Sequence, residues 1–424
     1  MEKINIFKQY RGLPREIYIL CVSRIINSLG GFVFPFLTLF LNEKMGMPED
    51  QMGFFMMTVS LVTIPGAIIA GKLADKYNRK AIILIFNFIP AVIFIICGFL
   101  ADTMLVPYLL MAAVFFGSFS WPANSAMTTD LTTPENRQSC YSLIYLGMNM
   151  GLAVGYMMAG YLFENHTQWL FWGDGITTIA GLLLVLLFVK DTKPTEKEIE
   201  EINASDRDGE KMESGSVFSA LLNRPFLLAF TVIGTIIGFV YSQHGFIMPL
   251  HLKAIYGSAQ GARYFGQVMT FNTIIVVFLT SAIINLTKKY KPITNVAIST
   301  FTYIIGFGML YFAKTIEVFV VAVIIWTVGE IIASVNSGVY VSNHSPVTHR
   351  GRFNSLLGII GGTGRSFAPL LMGMFLVDHS YAQGWLVTGF AATVAFAMLL
   401  MLRGAEKKSH AKKSSGQEIE AEVV

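Results

Sequence analysis

Long apolar runs dominate this sequence. A helix that crosses a membrane needs about 20 mostly apolar residues, and twelve such runs follow one another along the chain. Their approximate bounds are residues 17–41, 52–71, 81–101, 104–127, 140–163, 169–189, 225–250, 264–285, 292–313, 317–342, 353–376 and 384–402. Only 14% of the 424 residues are charged, whereas soluble domains carry about 25%. The sequence therefore predicts an all-α integral membrane protein with twelve transmembrane helices.

A charged segment between the second and third runs recurs in the second half of the chain. Residues 71–80 read GKLADKYNRK, and residues 284–290, INLTKKY, repeat part of this segment 213 positions later. Arg137 and Arg350 are related by the same offset. Internal repeats are typical of transporters that are built from two equivalent halves. We therefore expect two pseudo-symmetric six-helix bundles.

The polar segments divide the chain into four parts. We predict an N-terminal bundle over residues 1–190, a linker over 191–216, a C-terminal bundle over 217–403 and a tail over 404–424. The N-terminus, the loops after even-numbered spans and the tail hold 25 of the 31 Lys and Arg residues, and the opposite loops hold four. The positive-inside rule then places both termini in the cytoplasm. A multi-pass protein of the cell's inner (plasma) membrane is expected.

The segment 71–80 has the pattern G-x-L-x-D-x-x-x-R-K. Together with the two six-span halves, it resembles the major facilitator superfamily over nearly the whole chain. Residues 134–137 after span 4, 149–151 in span 5 and 329–330 in span 10 are similar to the proton-coupled multidrug antiporters of that superfamily. The resemblance implies alternating access, in which the halves rock around a central cavity lined by spans 1, 4, 7 and 10.

The resemblance also implies a gate at the cytoplasmic face. It assigns the gate to five residues: Gly71, Asp75, Arg79, Asp130 and Arg137. Asp75 would cap the start of span 11 in the other half, and Arg79 would pair with Asp130. The second copy of the segment has Lys288 in place of the acid, so only one such latch is expected.

Glu330 is the candidate for proton coupling. It lies about 13 residues into span 10, near the membrane midplane at about 1.5 Å per residue. An ionisable group there costs about 2.5–3.5 kcal/mol on insertion scales. Either Glu330 binds and releases a proton during transport, or it is permanently paired with an Arg or a backbone group.

Two arginines within spans have several possible roles. Arg24 in span 1, with Asn27 one turn further on, can hold an anionic substrate, pair with Glu330 across the cavity or extend toward the headgroups. Arg365 in span 11 can pair within its own half or contact substrate. Asp174 in span 6 is expected to be structural. Further substrate-cavity candidates are Trp121, Asn124, Gln243, His244 and Asn336.

Glycines 147, 151 and 155 fall on one face of span 5. Small residues at this spacing allow two membrane helices to approach closely. The simplest interpretation is tight packing of span 5 against a neighbouring helix, and a moving hinge is the alternative.

The leading functional hypothesis is a secondary active transporter that couples protons to the export of small amphipathic compounds. An importer of a metabolite or organic anion, or a lipid flippase of the same fold, remains an alternative. The chain has no pattern typical of a catalytic centre, a metal site or a P-loop, so no enzyme activity, cofactor or nucleic-acid partner is predicted. The expected partners are a small-molecule substrate, protons and membrane lipid, and a monomer is expected.

Overall fold

The computed structural model describes residues 10–101, 103–133, 136–192, 224–344 and 350–422. Within these ranges the chain forms helices, turns and short connections and contains no β-strand, which confirms the all-α class. The predicted linker, apart from its first two residues, lies outside the described residues.

The N-terminal half consists of helices α1–α8, and the C-terminal half consists of α9–α14. In the N-terminal half the helices are α1 Arg15–Leu29, α2 Leu37–Leu39, α3 Glu49–Lys76, α4 Arg79–Phe99, α5 Val106–Ser118, α6 Ser120–Asp130, α7 Arg137–Leu162 and α8 Thr167–Phe188. In the C-terminal half they are α9 Pro225–Tyr256, α10 Ser258–Thr287, α11 Pro292–Gly308, α12 Ile316–His344, α13 Arg350–Leu376 and α14 Tyr381–Glu422. The predicted tail therefore continues the last helix as far as Glu422.

Nine helical segments in the described ranges are long and apolar enough to cross a membrane. One of them, Val106–Thr128, spans both α5 and α6. Helices α3 and α13 cover the predicted runs 52–71 and 353–376. The fold is that of a helical membrane protein, and the count of twelve spans stays a prediction.

The first predicted span is not one continuous helix. Residues 17–41 are divided between α1, which ends at Leu29, and a second helical piece that begins at Leu37. Gly30 lies so close to α8 that a Cβ there would be 1.9 Å from Oγ1 of Thr177. Pro35 in the connection has no N–H group to continue a helical hydrogen-bond pattern. The expectation of an unbroken helix was therefore wrong.

The packing of the halves follows the internal repeat. Helix α1 packs on α7, and α9 packs on α13 in the corresponding way. Between the halves, α3 packs on α13 and α7 packs on α10. These two pairs are equivalent under exchange of the halves, since α3 corresponds to α10 and α7 corresponds to α13. The structure thus has the predicted pseudo-symmetry.

The glycines of α7 form a close contact with α1. A Cβ added to Gly147 would lie 2.7 Å from Sγ of Cys21, and one added to Gly151 would lie 2.4 Å from the carbonyl oxygen of Ile25. At Gly155 the corresponding distance to the carbonyl oxygen of Ser28 is 3.0 Å. This confirms the tight packing predicted from their spacing.

The two ends of the bundle differ in how the halves are joined. We call them the Glu43 end and the Arg79 end, after a residue at each. Toward the Glu43 end, buried apolar residues from both halves form one continuous cluster, in which Phe36 of one half contacts Phe265 of the other. Toward the Arg79 end, each half has a separate cluster of its own. Among the described residues, a shared apolar core joins the halves at the Glu43 end and none does so at the Arg79 end.

Candidate functional site

Glu330 lies near the middle of α12, with both carboxylate oxygens bonded to side chains of neighbouring helices. Oη of Tyr241 on α9 donates to Oε1 of Glu330 at 2.7 Å. Nδ2 of Asn272 on α10 donates to Oε2 at 2.8 Å and also to Oγ1 of Thr327 at 2.9 Å. Three helices of the C-terminal half thus meet at one carboxyl group.

Aromatic rings surround this group. The ring of Tyr241 lies 4.5 Å from the ring of His244 and 6.0 Å from that of Trp326, measured between centroids. Trp326 also stacks on His244 and on Phe307. The rings exclude water from one side of Tyr241, which strengthens the electrostatic interactions of Glu330 with its donors.

Arg365 on α13 approaches the same site from the cavity. Its guanidinium carbon lies 5.8 Å from the ring centroid of Tyr241, within the range of a cation–π interaction. The residue is exposed to the cavity, and none of the ion pairs among the described residues joins it to Glu330. Tyr241 therefore contacts a cation through its ring and donates a hydrogen bond to a carboxylate through its hydroxyl group.

A cavity of about 550 Å³ opens beside Glu330 in the C-terminal half. Tyr241, Tyr303, Glu330 and Arg365 supply its main polar groups. A second cavity of about 350 Å³ lies between the halves, with Tyr156 of the N-terminal half facing His244 and Arg365 of the C-terminal half. Tyr241 and Arg365 line both cavities, so the site of Glu330 adjoins a space that both halves share.

The N-terminal half has a cavity of its own, of about 620 Å³. Arg24 and Asn27 on α1 line it together with Trp121, which is 80% exposed. Asn124 lines a small pocket of about 40 Å³ that also contains Arg24. The structure therefore brings four of the predicted cavity residues to one lobe of the N-terminal half.

Two predicted cavity residues line none of the four cavities described. Gln243 is completely buried and its Nε2 donates to the carbonyl oxygen of Phe239, and it is absent from the lining of the four cavities described. Asn336 accepts from Nδ2 of Asn295 at 2.8 Å, which ties α12 to α11. Other residues of both helices line the cavity beside Glu330, but the direction of these two side chains depends on packing.

Sequence reasoning missed Tyr241 and Asn272, the two donors to Glu330. Asn272 did leave a signal, because it is an amide in the middle of an apolar run, where an unpaired polar group is costly. Tyr241 left none, since an aromatic residue in a membrane helix is ordinary.

The Arg79 end contains part of the predicted gate. A side-chain nitrogen of Arg79 forms an ion pair with Oδ2 of Asp130, and Thr192 donates to the same oxygen at 3.0 Å. Both charged residues belong to the N-terminal half. The surroundings of Gly71 and the side chains of Asp75 and Arg137 lie outside the described part of the structure.

Hydrogen bonds between the halves lie toward the Glu43 end. Oγ1 of Thr38 donates to the carbonyl oxygen of Gly245 at 2.8 Å, and Lys253 forms an ion pair with Glu43. Burial disfavours ionisation of Glu43, but hydrogen bonds from Lys253 and Ser258 together hold the pKa of its carboxyl group below the ordinary value. This ion pair joins the two halves and was not predicted.

A helical membrane protein with two equivalent halves and a carboxyl group beside the space between them has the architecture of a secondary transporter. The sequence profile of the Major Facilitator Superfamily matches residues 20–369 and 297–424. The chain belongs to this family and is a multi-pass membrane transporter, not an enzyme.

Known relatives share this architecture at low identity. The Na(+), Li(+), K(+)/H(+) antiporter of Planococcus maritimus is 22% identical over 408 residues, which cover 91% of this chain and 95% of the relative. Multidrug resistance protein MdtH of Photorhabdus laumondii subsp. laumondii is 23% identical over 181 residues, 42% of this chain and 45% of the relative. Among solved structures, a POT family transporter in complex with a thioalcohol-conjugated peptide superposes with a TM-score of 0.73 at 13% identity, covering 95% of this chain and 98% of the other. The structural likeness shows the fold alone.

Proposed function

We propose that the protein exports small amphipathic compounds across the plasma membrane in exchange for protons, by alternating access. The observation that carries this proposal is Glu330, a carboxyl group midway along a membrane helix that is bonded by Tyr241 and Asn272 beside a cavity. The names of two relatives, an H(+) antiporter and a multidrug resistance protein, favour proton exchange and export.

Glu330 acts in this proposal as the group that binds and releases the proton. An ionised carboxylate only accepts hydrogen bonds, whereas a protonated carboxyl group also donates one. Protonation therefore removes an acceptor position from the set that Tyr241 and Asn272 use in this structure. Because these donors belong to different helices, the change in bonding alters the balance between two arrangements of the C-terminal half.

The closed Glu43 end and the separate clusters at the Arg79 end support one particular state. In the orientation expected from the charge distribution, the Arg79 end faces the cytoplasm. The arrangement then corresponds to the inward-facing state, which takes up a compound for export from the cytoplasm. The opposite state requires the ion pair of Glu43 and Lys253 to break.

The gating role assigned to the Arg79 end also belongs to this proposal. The ion pair of Arg79 and Asp130 holds the start of α4 against the end of α6. Asp75, at the end of α3, would engage the other half when that end closes. Asp75→Asn is then expected to slow the transport cycle with less effect on substrate affinity.

Proton exchange can be tested in everted membrane vesicles with an acidified interior. A panel of aromatic acids, amides and amines is added, and a pH-sensitive acridine dye reports proton release. Vesicles with the natural protein should release protons on addition of at least one compound, and vesicles with Glu330→Gln should not. Proton release of equal size in the Glu330→Gln vesicles would overturn the proposed role of this carboxyl group.

Glu317→Gln provides the matched control. Glu317 lies in the first turn of the same helix and is exposed, so the substitution removes one carboxylate from α12 without affecting the cavity. It should retain proton release. The direction of transport follows from intact cells, in which collapse of the proton gradient should raise the internal concentration of an exported compound.

A further inference from the structure

Arg24 forms no ion pair with any described residue of the cavity that it lines. Within the described part of the chain, no hydrogen bond or ion pair to its guanidinium group is found. An arginine in a membrane helix costs about 2.5–3.5 kcal/mol on insertion scales. An unpaired guanidinium group in a ligand-sized cavity requires a functional reason.

Asp174, the acid that lines the same cavity, forms no ion pair with Arg24 in the described structure. Ser23 donates to the carbonyl oxygen of Gly181 at 2.9 Å, and Asn27 donates to Thr178 at 2.7 Å. These contacts fix the antiparallel register of α1 and α8. They place Asp174 beyond the end of α1, about two helical turns or 10 Å from the level of Arg24.

Asp174 also has a local partner of its own. Its carboxyl group hydrogen-bonds to the backbone of Val33 in the connection after α1, and the residue is 7% exposed. The acid is therefore part of the packing around the break in the first span.

The amides near Arg24, in this cavity and in the small pocket beside it, already make hydrogen bonds. Nδ2 of Asn87 donates to the carbonyl oxygen of Ile83 at 2.7 Å, and its Oδ1 accepts from Ser120 at 3.0 Å. Nδ2 of Asn124 donates to the carbonyl oxygen of Ser120 at 2.9 Å. By contrast, the five N–H donors of Arg24 have no acceptor among the described residues. None of these amide oxygens accepts from Arg24, so its guanidinium group is available to a ligand acceptor, and an anionic one fits best.

Apolar surface lies in the same cavity. Trp121 is 80% exposed and Phe34 is 44% exposed, and both line it. A volume of about 620 Å³ is in the range of sites for small organic ligands. The lobe therefore combines the planar guanidinium group of Arg24 with a large exposed aromatic surface.

The second arginine of the central region has a different environment. Arg365 lies over the ring of Tyr241, and its charge acts on Glu330. Arg365 therefore contacts a tyrosine that is bonded to a carboxylate, whereas Arg24 has no ion pair, hydrogen bond or ring contact within the described structure. The cation that lacks a partner is the one in the N-terminal lobe.

We propose that this lobe binds an amphipathic organic anion, whose carboxylate-type head bonds to the guanidinium group of Arg24 and whose aromatic or aliphatic body packs on Trp121 and Phe34. The inference rests on the proposed transport function and narrows its substrate class from amphipathic compounds in general to amphipathic acids. Asn27 and Asn124 border the head of the ligand.

Matched acid and amide pairs test the proposal, because each pair has the same apolar body and differs in the charge of the head. The probes are benzoate and benzamide, 1-naphthylacetate and 1-naphthylacetamide, and indole-3-acetate and indole-3-acetamide. Thermal unfolding of the purified full-length protein in detergent is followed at increasing concentrations of each probe, since a bound ligand raises the melting temperature. In at least one pair the acid should stabilise the protein more than its amide does.

Arg24→Gln should weaken binding of that acid by about tenfold or more, because hydrogen bonds between charged groups contribute about 1.5–3 kcal/mol. Binding of the amide should change much less. Arg24→Lys should restore part of the preference, since it keeps the charge without the planar fork. Arg263→Gln is the matched control: Arg263 is half-buried at the Glu43 end, over the ring of Tyr161, and this variant should keep the full preference.

Two results would overturn the proposal. One is that the natural protein is stabilised no more by the acid than by the amide in any pair. The other is that Arg24→Gln keeps the preference for the acid. If Arg24→Gln does not fold, the natural protein is compared with Arg24→Lys instead. A preference for the acid that is as strong in Arg24→Lys as in the natural protein would then overturn the proposed bidentate binding of the head by the guanidinium group.

The outcome is separable from that of the proposed function. Binding in detergent involves no proton gradient, and Glu330→Gln should retain the preference for acids. A protein that releases protons on adding neutral compounds but shows no acid preference would refute the anion site alone. A protein that binds acids through Arg24 but releases no protons would refute proton exchange alone.

Discussion

The side-chain amide of Asn272 donates to Oε2 of Glu330 at 2.8 Å, so α10 holds in place the carboxyl group that α12 carries into the membrane interior. Tyr241 donates to the other oxygen. The two donors provide the carboxylate with polar partners that lipid cannot supply. They also make the bonding of Glu330 sensitive to a proton, because protonation occupies one of the oxygens they use.

Tyr241→Phe should destabilise the protein through the loss of its bond to Glu330. A hydrogen bond to a charged group contributes about 1.5–3 kcal/mol, and one between neutral groups about 1 kcal/mol. We therefore expect a loss of about 1.5–3 kcal/mol in the natural protein and a smaller loss in the Glu330→Gln background. Thermal unfolding of the four proteins in detergent at pH 8 gives the coupling between the two side chains.

Tyr311→Phe serves as the control for that cycle. Tyr311 is 39% exposed near the end of the 3₁₀ turn after α11 and is not one of the hydrogen-bond donors to Glu330, so its removal should show no coupling to Glu330→Gln. Equal losses for Tyr241→Phe in both backgrounds would show that its hydroxyl group does not act through the carboxylate.

The Glu43 end should lose stability at low pH. Hydrogen bonds from Lys253 and Ser258 outweigh the effect of burial and hold the pKa of Glu43 below its ordinary value of 4.5. A carboxyl group with a lowered folded-state pKa contributes stability above its ordinary pKa, and this contribution is lost as the pH falls toward the folded-state value. Glu43→Gln should therefore lower the melting temperature at pH 7, and the difference from the natural protein should shrink below about pH 4.5.

Glu164→Gln tests whether that pH dependence is specific. Glu164 also faces a cation of the other half, Arg263, but the closest approach is 4.0 Å and both side chains are more exposed. Exposed pairs contribute about 0–1 kcal/mol. At pH 7, Glu164→Gln should therefore lower the melting temperature less than Glu43→Gln does. A Glu43→Gln effect that is the same at pH 7 and pH 4 would rule out ionisation of Glu43 as its cause.

The helices and their division into two halves could be predicted from the sequence because the membrane restricts the choices. Backbone groups in lipid must bond within a helix, and the length of a span is set by the bilayer. The break after Leu29 was not predicted, since Gly30 and Pro35 interrupt a run that remains apolar throughout. It depends on the approach of α8, which becomes visible only in the packed structure.

The candidate site was predicted only in part, for a related reason. Glu330 and Arg24 could be found because a charge within an apolar run is unusual. The donors to Glu330 lie 89 and 58 positions away in the sequence, and no local pattern connects them. Gln243 shows the same limit: its helix lines the central region, but its own side chain is buried.

Gly151→Ala should be strongly destabilising. The added Cβ would lie 2.4 Å from the carbonyl oxygen of Ile25 and 2.9 Å from the backbone nitrogen of Leu29, so α1 would have to move away from α7. Overpacking of this kind typically costs about 1–3 kcal/mol. Gly234→Ala is the control, because a Cβ there meets no atom within 4 Å and alanine favours the helix by about 1 kcal/mol. Melting temperatures that change equally in the two variants would contradict the close contact.

Alternating access requires the contact between Thr38 and Gly245 to open. Oγ1 of Thr38 lies 2.8 Å from the carbonyl oxygen of Gly245, so cysteines at these two positions are within reach of a short bifunctional thiol reagent. The pair is introduced after replacement of the three native cysteines, which are all buried. Crosslinking should stop proton release in vesicles, and a cleavable reagent should allow its recovery on reduction. Each single cysteine, treated in the same way, should remain active. A crosslinked protein that still transports at the full rate would show that this end stays closed throughout the cycle.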